Sequence, residues 1–181
     1  EFENEKYDVV INCIGISSTV DFKDKVPSYF RLTETFDNLV LDYIENHPDT
    51  LYINFSSGAA YGIDFSIPVD ELTHAKWNIN NITETDYYGM AKLNSEAKHR
   101  SLKNLNIIDL RMFSYFSRFI NLESKYLLTE IISCIKENKE FVTGADNIVR
   151  DYIHPKDLFL LIEKCIEKKN LMQMNNCFIN S

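Results

Sequence analysis

The strongest constraint in this sequence is a proline-fenced segment lying between two short apolar runs. Tyr7 to Ile14 (YDVVINCI) and Leu51 to Phe55 (LYINF) are rich in β-branched and aromatic residues, as buried strands are. Between them, from about Pro27 to His47, Phe36, Leu39, Val40, Tyr43 and Ile44 recur at helical spacing. Pro27 suits a first helical turn, where its missing N–H would be unpaired anyway, and Pro48 forbids continuation. Strand, helix and strand in this order argue for a parallel sheet with helices on its faces.

The alternation continues along the chain. LYINF runs directly into the small-residue turn SSGAAYG, and residues 63–82 read as a long polar loop carrying Pro68 and the only Trp. Loops of that length are uncommon unless they cover or build a site. A helix is predicted from Asp86 to about Leu102, with Asp86 as its N-cap. His99, Arg100 and Lys103 crowd the end where the helix dipole favours cations. Asn106 to Phe113 (NIIDLRMF) is a third strand. Glu123 to Asn138 is a helix with Leu127, Leu128, Ile131, Ile132 and Ile135 on one stripe. Glu140 to Thr143 is read as a short strand ending at Gly144, and Pro155 to Lys168 as a last helix. The fold class is therefore α/β. Ligands of such sheets sit beyond the carboxyl ends of the strands, which directs attention to residues 12–18, 56–62 and 111–117.

Composition narrows the function. At roughly 150 residues per domain, 181 residues make one domain, or one and a small appendage. Such a chain buries a core without a disulfide or metal staple. Aromatic content of 13% excludes disorder as the main state. No apolar run approaches the roughly 20 residues that span a bilayer, and EFENEK is not a signal peptide. A formal net charge of -8 argues against a nucleic-acid surface. Cys13, Cys134, Cys165 and Cys177 are widely spaced, with no CxxC pair. They are read as buried thiols of a reducing, cytoplasmic compartment, not as a metal site. Two glycosylation sequons, at Asn54 and Asn81, are coincidental in such a compartment.

Chemistry enters with Tyr88 and Lys92, a YxxxK pair on one face of the predicted helix. Spacing alone is weak, because 10 Tyr and 14 Lys supply roughly one such match by chance. The sequence has a second, Tyr152 and Lys156, but Pro155 inside it argues against one continuous helical face. The first pair gains weight from position: it opens a helix that follows a strand ending in Ser56-Ser57-Gly58. A tyrosine near pKa 10 is a poor base at neutral pH, and a nearby ammonium favours the phenolate. A serine hydroxyl could bond the same substrate oxygen, a set suited to proton transfer at an alcohol or ketone. His154, before Pro155, is read as a cap or turn residue and not as a base.

Four segments, in order, resemble the extended short-chain dehydrogenase/reductases, the NAD-dependent epimerase/dehydratase family with its nucleotide-sugar epimerases, dehydratases and reductases. YDVVINCIG resembles that family's fourth-strand motif, which implies Cys13, Ile14, Gly15 and Ser17 beside the nicotinamide. NFSSGAAYG resembles the fifth-strand motif, implying Ser57 as the catalytic serine and Ser56 on the cofactor side. YYGMAK resembles the catalytic Tyr-x-x-x-Lys. It implies Tyr88 as the proton-transferring residue and Lys92 as the group that holds the cofactor ribose and lowers the tyrosine pKa. Met112 and Phe113 would pass the nicotinamide, and Ser114 stands where the family has a substrate-binding asparagine. IVRDYIHPKDL resembles the segment whose arginine, here Arg150, grips the substrate diphosphate; arginine pairs bidentately with phosphate.

The resemblance implies NAD or NADP as cofactor, a nucleotide-diphosphate sugar as substrate and partner, and no bound metal. Ser57-Gly58-Ala59 stands where the family's dehydratases carry Thr-Asp-Glu, so epimerase or 4-ketoreductase is expected over dehydratase. No GxxGxxG or GxGxxG occurs among the five glycines, so the pyrophosphate-binding turn is expected upstream and the chain is read as a fragment. On this reading the fold is an incomplete Rossmann-like parallel sheet flanked by helices, with part of a small C-terminal substrate lobe. Residues 1–113 form the end of the nucleotide-binding domain, and 114–181 the truncated lobe with returning elements. The helices near 27–47 and 86–102 would mediate homodimerisation. The competing expectation is a non-catalytic dinucleotide-binding regulatory module of the same fold, and a third is an unrelated small α/β binding domain.

Overall fold

A computed structural model describes residues 2–16, 26–62, 65, 68–124, 126–145, 150–168 and 177–180. Four parallel strands, β1 (Val9–Asn12), β2 (Leu51–Ser57), β3 (Ile107–Met112) and β4 (Cys177–Asn180), lie side by side in sequence order. The helices are α1 (Val26–Asn46), α2 (Asp86–Ser101), α3 (Leu127–Glu137) and α4 (Pro155–Lys168).

Side-chain alternation along β2 and β3 explains why both faces of the sheet are covered. Tyr52 and Ile107 point to one side, where they pack with Val40, Leu41, Tyr43 and Ile44 of α1. Leu51, Ile53, Ile108 and Leu110 point to the other and meet Cys165, Leu161 and Ile162 of α4. The Tyr43 hydroxyl accepts the Tyr7 N–H at 2.9 Å and donates to the Glu5 carbonyl at 3.0 Å, tying the chain before β1 to α1.

The helix boundaries follow the prolines: α1 starts beside Pro27 and ends before Pro48, and α4 occupies the predicted span. Several expectations are corrected. Residues 140–143 form no strand, and Val142 is 82% exposed there, with no strand paired to it among the described residues. Asp86 is the first residue of α2 and not its cap; its carboxylate reaches back to the Thr83 N–H at 2.8 Å. The third predicted helix begins at Leu127, later than Glu123. Cys13 is exposed and Cys134 half-buried, so only Cys165 among the described thiols is a buried one. β4 adds a strand that the apolar pattern did not mark. Among the described residues, no helix is long and apolar enough to cross a membrane.

Candidate active site

A cavity of about 580 Å³ opens at the carboxyl ends of the strands. Cys13, Gly15 and Ile16 line it from the turn after β1, Phe55 and Ser56 from β2, Tyr88 and Lys92 from α2, and Met112 from β3. Tyr115, Tyr126 and Leu158 complete the described wall.

Tyr88 and Lys92 lie in the first two turns of α2 and share one face, as the spacing requires. The Lys92 side chain is 5% exposed, and its Nζ donates to the Phe55 carbonyl at 2.7 Å. Burial lowers its pKa, opposed by the negative charges of Asp37, Asp109 and Glu96. Gly15 faces this ammonium closely: a Cβ built there would stand 3.6 Å from Nζ. Ser57 lies beside Tyr88, and its Oγ accepts the Ala59 N–H at 3.2 Å. Burial raises the Tyr88 pKa, the Ser57 hydroxyl beside it works against that, and Tyr126 and Tyr29 push it further up. Desolvation of the phenol dominates, and the ammonium is bound to a carbonyl.

Two close approaches set this geometry. A Cβ on Gly89 would overlap the Ala59 carbonyl, so only glycine lets α2 rest on the turn after β2. A Cβ on Gly58 would lie 2.6 Å from the Phe113 ring, which itself faces Tyr61 and Phe65.

The adjacent serines part company. Ser57 stands beside Tyr88, whereas the Ser56 hydroxyl donates to Glu96 Oε1 at 2.5 Å. That carboxylate also takes Arg111 Nε at 2.9 Å and Arg100 Nη2 at 3.0 Å. Ser56 thus borders the cavity, as expected of the cofactor side, with its hydroxyl proton committed to Glu96. Ile14 is exposed, and its N–H is held by Asn12 Oδ1 at 2.9 Å; its side chain is not among the described lining, nor is that of Phe113. Ser114 contributes its carbonyl, which accepts Ile153 N–H at 2.9 Å next to the Tyr115–Ile153 bridge. Arg150 is exposed and is not among the described residues lining this cavity. Ser17 lies outside the described residues. Tyr115 is shared with a second cavity of about 460 Å³ against Phe119, Arg118 and His154. The His154 Nδ1 accepts the Lys156 N–H at 3.2 Å, the turn role expected of it.

Behind the cavity lies a buried polar layer that the motif reading missed. Asn12, Asn54 and Asp109 occupy neighbouring positions on β1, β2 and β3, a polar rung across an otherwise apolar sheet. The Asn54 amide donates to Asp109 Oδ1 at 2.7 Å. His99 of α2 bridges Asp109 and Asp37, with 2.8 Å to each. Burial pulls the imidazole pKa down, but its hydrogen bonds to the two aspartates and their negative charge outweigh that and raise it to about 9. Burial likewise pushes Asp37 up, and its bonds to His99, Lys98 and Tyr52 overcome that and hold it at about 2. The signal available in sequence was the polar letter closing or interrupting each apolar run: VVIN, LYIN and IID.

Among the described residues, no group of three His, Cys, Asp or Glu side chains is placed to hold a metal ion. The cavity suits a nicotinamide–ribose end. Gly15 leaves room beside the buried ammonium, and Met112 and the turn after β1 offer apolar contact.

Comparison with known proteins agrees with this architecture. The profile of the NAD dependent epimerase/dehydratase family matches residues 1–177. Among curated proteins, none matches the chain significantly. The fold is similar to UDP-glucose-4-epimerase from Stenotrophomonas maltophila with bound NAD and formylated UDP-arabinopyranose. The TM-score is 0.77 at 19% identity, covering 96% of this chain and 55% of that one. UDP-glucuronic acid 4-epimerase from Bacillus cereus, in complex with a fluorinated UDP-glucuronic acid and NAD, gives a TM-score of 0.75 at 23% identity, over 96% and 53%. RMD from Pseudomonas aeruginosa complexed with NADPH gives 0.71 at 13% identity, over 96% and 60%. The chain thus spans little more than half the length of the structures it resembles.

Proposed function

Because the chain belongs to the NAD dependent epimerase/dehydratase family, we propose that it carries the proton-transfer centre of a nicotinamide-dependent epimerase or 4-ketoreductase acting on a nucleotide-diphosphate sugar. The observation that carries this reading is Tyr88 sharing a cavity with the buried Lys92 ammonium, with Ser57 beside it at the end of β2.

Tyr88 takes the proton of the sugar hydroxyl as the carbonyl forms and returns it in the reverse direction. Ser57 holds the reacting oxygen beside the phenol and donates to it as charge develops. Lys92 contributes a fixed positive charge one helical turn away and turns from the Phe55 carbonyl to a ribose hydroxyl. When bound, NAD or NADP supplies the hydride chemistry, and its oxidised ring adds positive charge that favours the phenolate. Gly15, Cys13 and Met112 shape the nicotinamide side of the cavity. Arg150 grips the substrate diphosphate, Ser114 borders the sugar, residues 1–113 serve the cofactor and 114–181 the substrate. Pairing of α1 and α2 between two copies makes a homodimer, which sedimentation of the intact protein tests.

Incubating the intact protein with UDP-, GDP- and dTDP-hexoses separates the two reactions. An epimerase interconverts sugars without net change in reduced cofactor, and a reductase consumes it stoichiometrically. Tyr88→Phe abolishes either one. Undiminished turnover by that variant refutes the assignment, and cofactor binding without turnover of any hexose favours a regulatory module instead.

A further inference from the structure

The buried polar layer ends on the wall of the cavity, and the directions of its hydrogen bonds can be worked out. Both ring nitrogens of His99 face carboxylate oxygens, Asp37 Oδ1 and Asp109 Oδ1, at 2.8 Å each. A carboxylate only accepts, so both nitrogens carry protons and the ring is an imidazolium. The same Asp37 oxygen accepts the Tyr52 hydroxyl proton at 2.8 Å. Having spent its one proton there, Tyr52 receives the Asn12 amide Nδ2 at 2.9 Å. That choice orients the amide: Asn12 Oδ1 is left facing the Ile14 N–H, 2.9 Å away. The final bond pins the turn at 13–16, whose Cys13, Gly15 and Ile16 line the cavity.

We propose that His99 is a positioning residue for the cavity turn, acting through Asp37, Tyr52 and Asn12 to fix which end of the Asn12 amide meets the Ile14 N–H. The geometry explains why a cation, and not merely a polar group, sits between two aspartates. Without it one buried carboxyl takes up a proton and becomes a donor, Tyr52 is free to turn its hydroxyl, and the amide flips. A flipped Asn12 presents its NH2 to the Ile14 N–H, and the bond is lost. All members except the turn are fully or nearly fully buried, so water does not offer them a substitute partner. Lys98, 2.8 Å from Asp37 Oδ2, neutralises the other oxygen and leaves Oδ1 to this relay. The inference treats the turn as a structural element and stands whether or not the reaction proposed for Tyr88 is right.

Hydrogen exchange resolved at single amides in the intact protein tests it. Tyr52→Phe keeps the ring and deletes only the relaying hydroxyl. It is expected to raise exchange at Ile14 by about tenfold, while the mid-sheet amides of Ile53 and Leu110 stay within about twofold. His99→Gln is expected to do the same, with faster labelling of the neighbouring exposed Cys13 thiol as a second readout. If Ile14 exchange is unchanged in a folded Tyr52→Phe protein, or if all three amides accelerate together, the positioning role is wrong. Turnover is not part of the readout, so a failure here is distinguishable from a failure of the Tyr88 assignment.

Discussion

The molecule carries the same four-residue spacing twice, and the two copies differ in everything except spelling. Tyr88 and Lys92 lie on consecutive turns of α2, with Lys92 5% exposed and Tyr88 beside Ser57. Tyr152 precedes the start of α4 at Pro155, is 39% exposed, and has exposed Lys156 beyond the helix start. A spacing becomes a site only where the backbone makes it one face and where neighbours desolvate it. For the first pair the neighbours are the turn after β2 and the buried layer under α2; both side chains of the second pair are exposed.

The sharpest way to break this contrast is to delete the same hydroxyl in each pair. Tyr88→Phe is expected to lower kcat about a thousandfold, or about 4 kcal/mol of barrier, in a steady-state assay of the intact protein. A smaller effect is expected where α2 is lifted from its support. Gly89→Ala must push against the Ala59 backbone and Trp77, and should cost about 3 kcal/mol in chemical denaturation.

Next comes pH. His99 titrates at about 9 when folded, against an ordinary value of 6.5. Its contribution is therefore fully present below pH 6.5 and is lost as pH rises towards 9. Asp37, held at about 2 against 3.8, contributes fully above pH 3.8 and loses that contribution as pH falls towards 2. Denaturation midpoints should thus be highest between these limits and decline on both sides, by an amount on the order of 2 kcal/mol at the alkaline end. A flat profile from pH 5 to 9 would contradict the imidazolium. The smallest effect closes the series: Tyr152→Phe should change kcat less than about twofold, and a large loss there would erase the distinction between the pairs.

How much of this was legible beforehand depended on range. Helix ends set by Pro27, Pro48 and Pro155 were readable because a missing N–H acts locally. The apolar strands were readable for the same reason. Residues 140–143 misled because FVT has strand-like composition, yet a strand exists only where another strand accepts its backbone bonds. His99, placed by sequence among cations favoured by a helix end, proved to be fully buried between carboxylates 62 positions before it and 10 after. Such partners are invisible to any local window. The motif that places Ser56 on the cofactor side and Ser57 at the chemistry says nothing of the partners each hydroxyl finds. In an extended strand neighbouring side chains point apart, and Glu96, 40 positions away, claimed the first.

The polar rung of Asn12, Asn54 and Asp109 also bears on how the chain finds its fold. The apolar segments VVI, LYI and II are nearly interchangeable, so sliding one strand past its neighbour by two residues keeps every inward side chain inward. Hydrophobicity alone does not penalise that slip. The rung does, because a two-residue shift of β3 takes Asp109 from Asn54 to Tyr52 or Ser56, draws it away from the imidazole and leaves His99 a single carboxylate. A slipped sheet would bury an unpaired charge and fail to close. The three polar letters thus act as a key for strand alignment, and the cavity at the strand ends exists because that key admits one register.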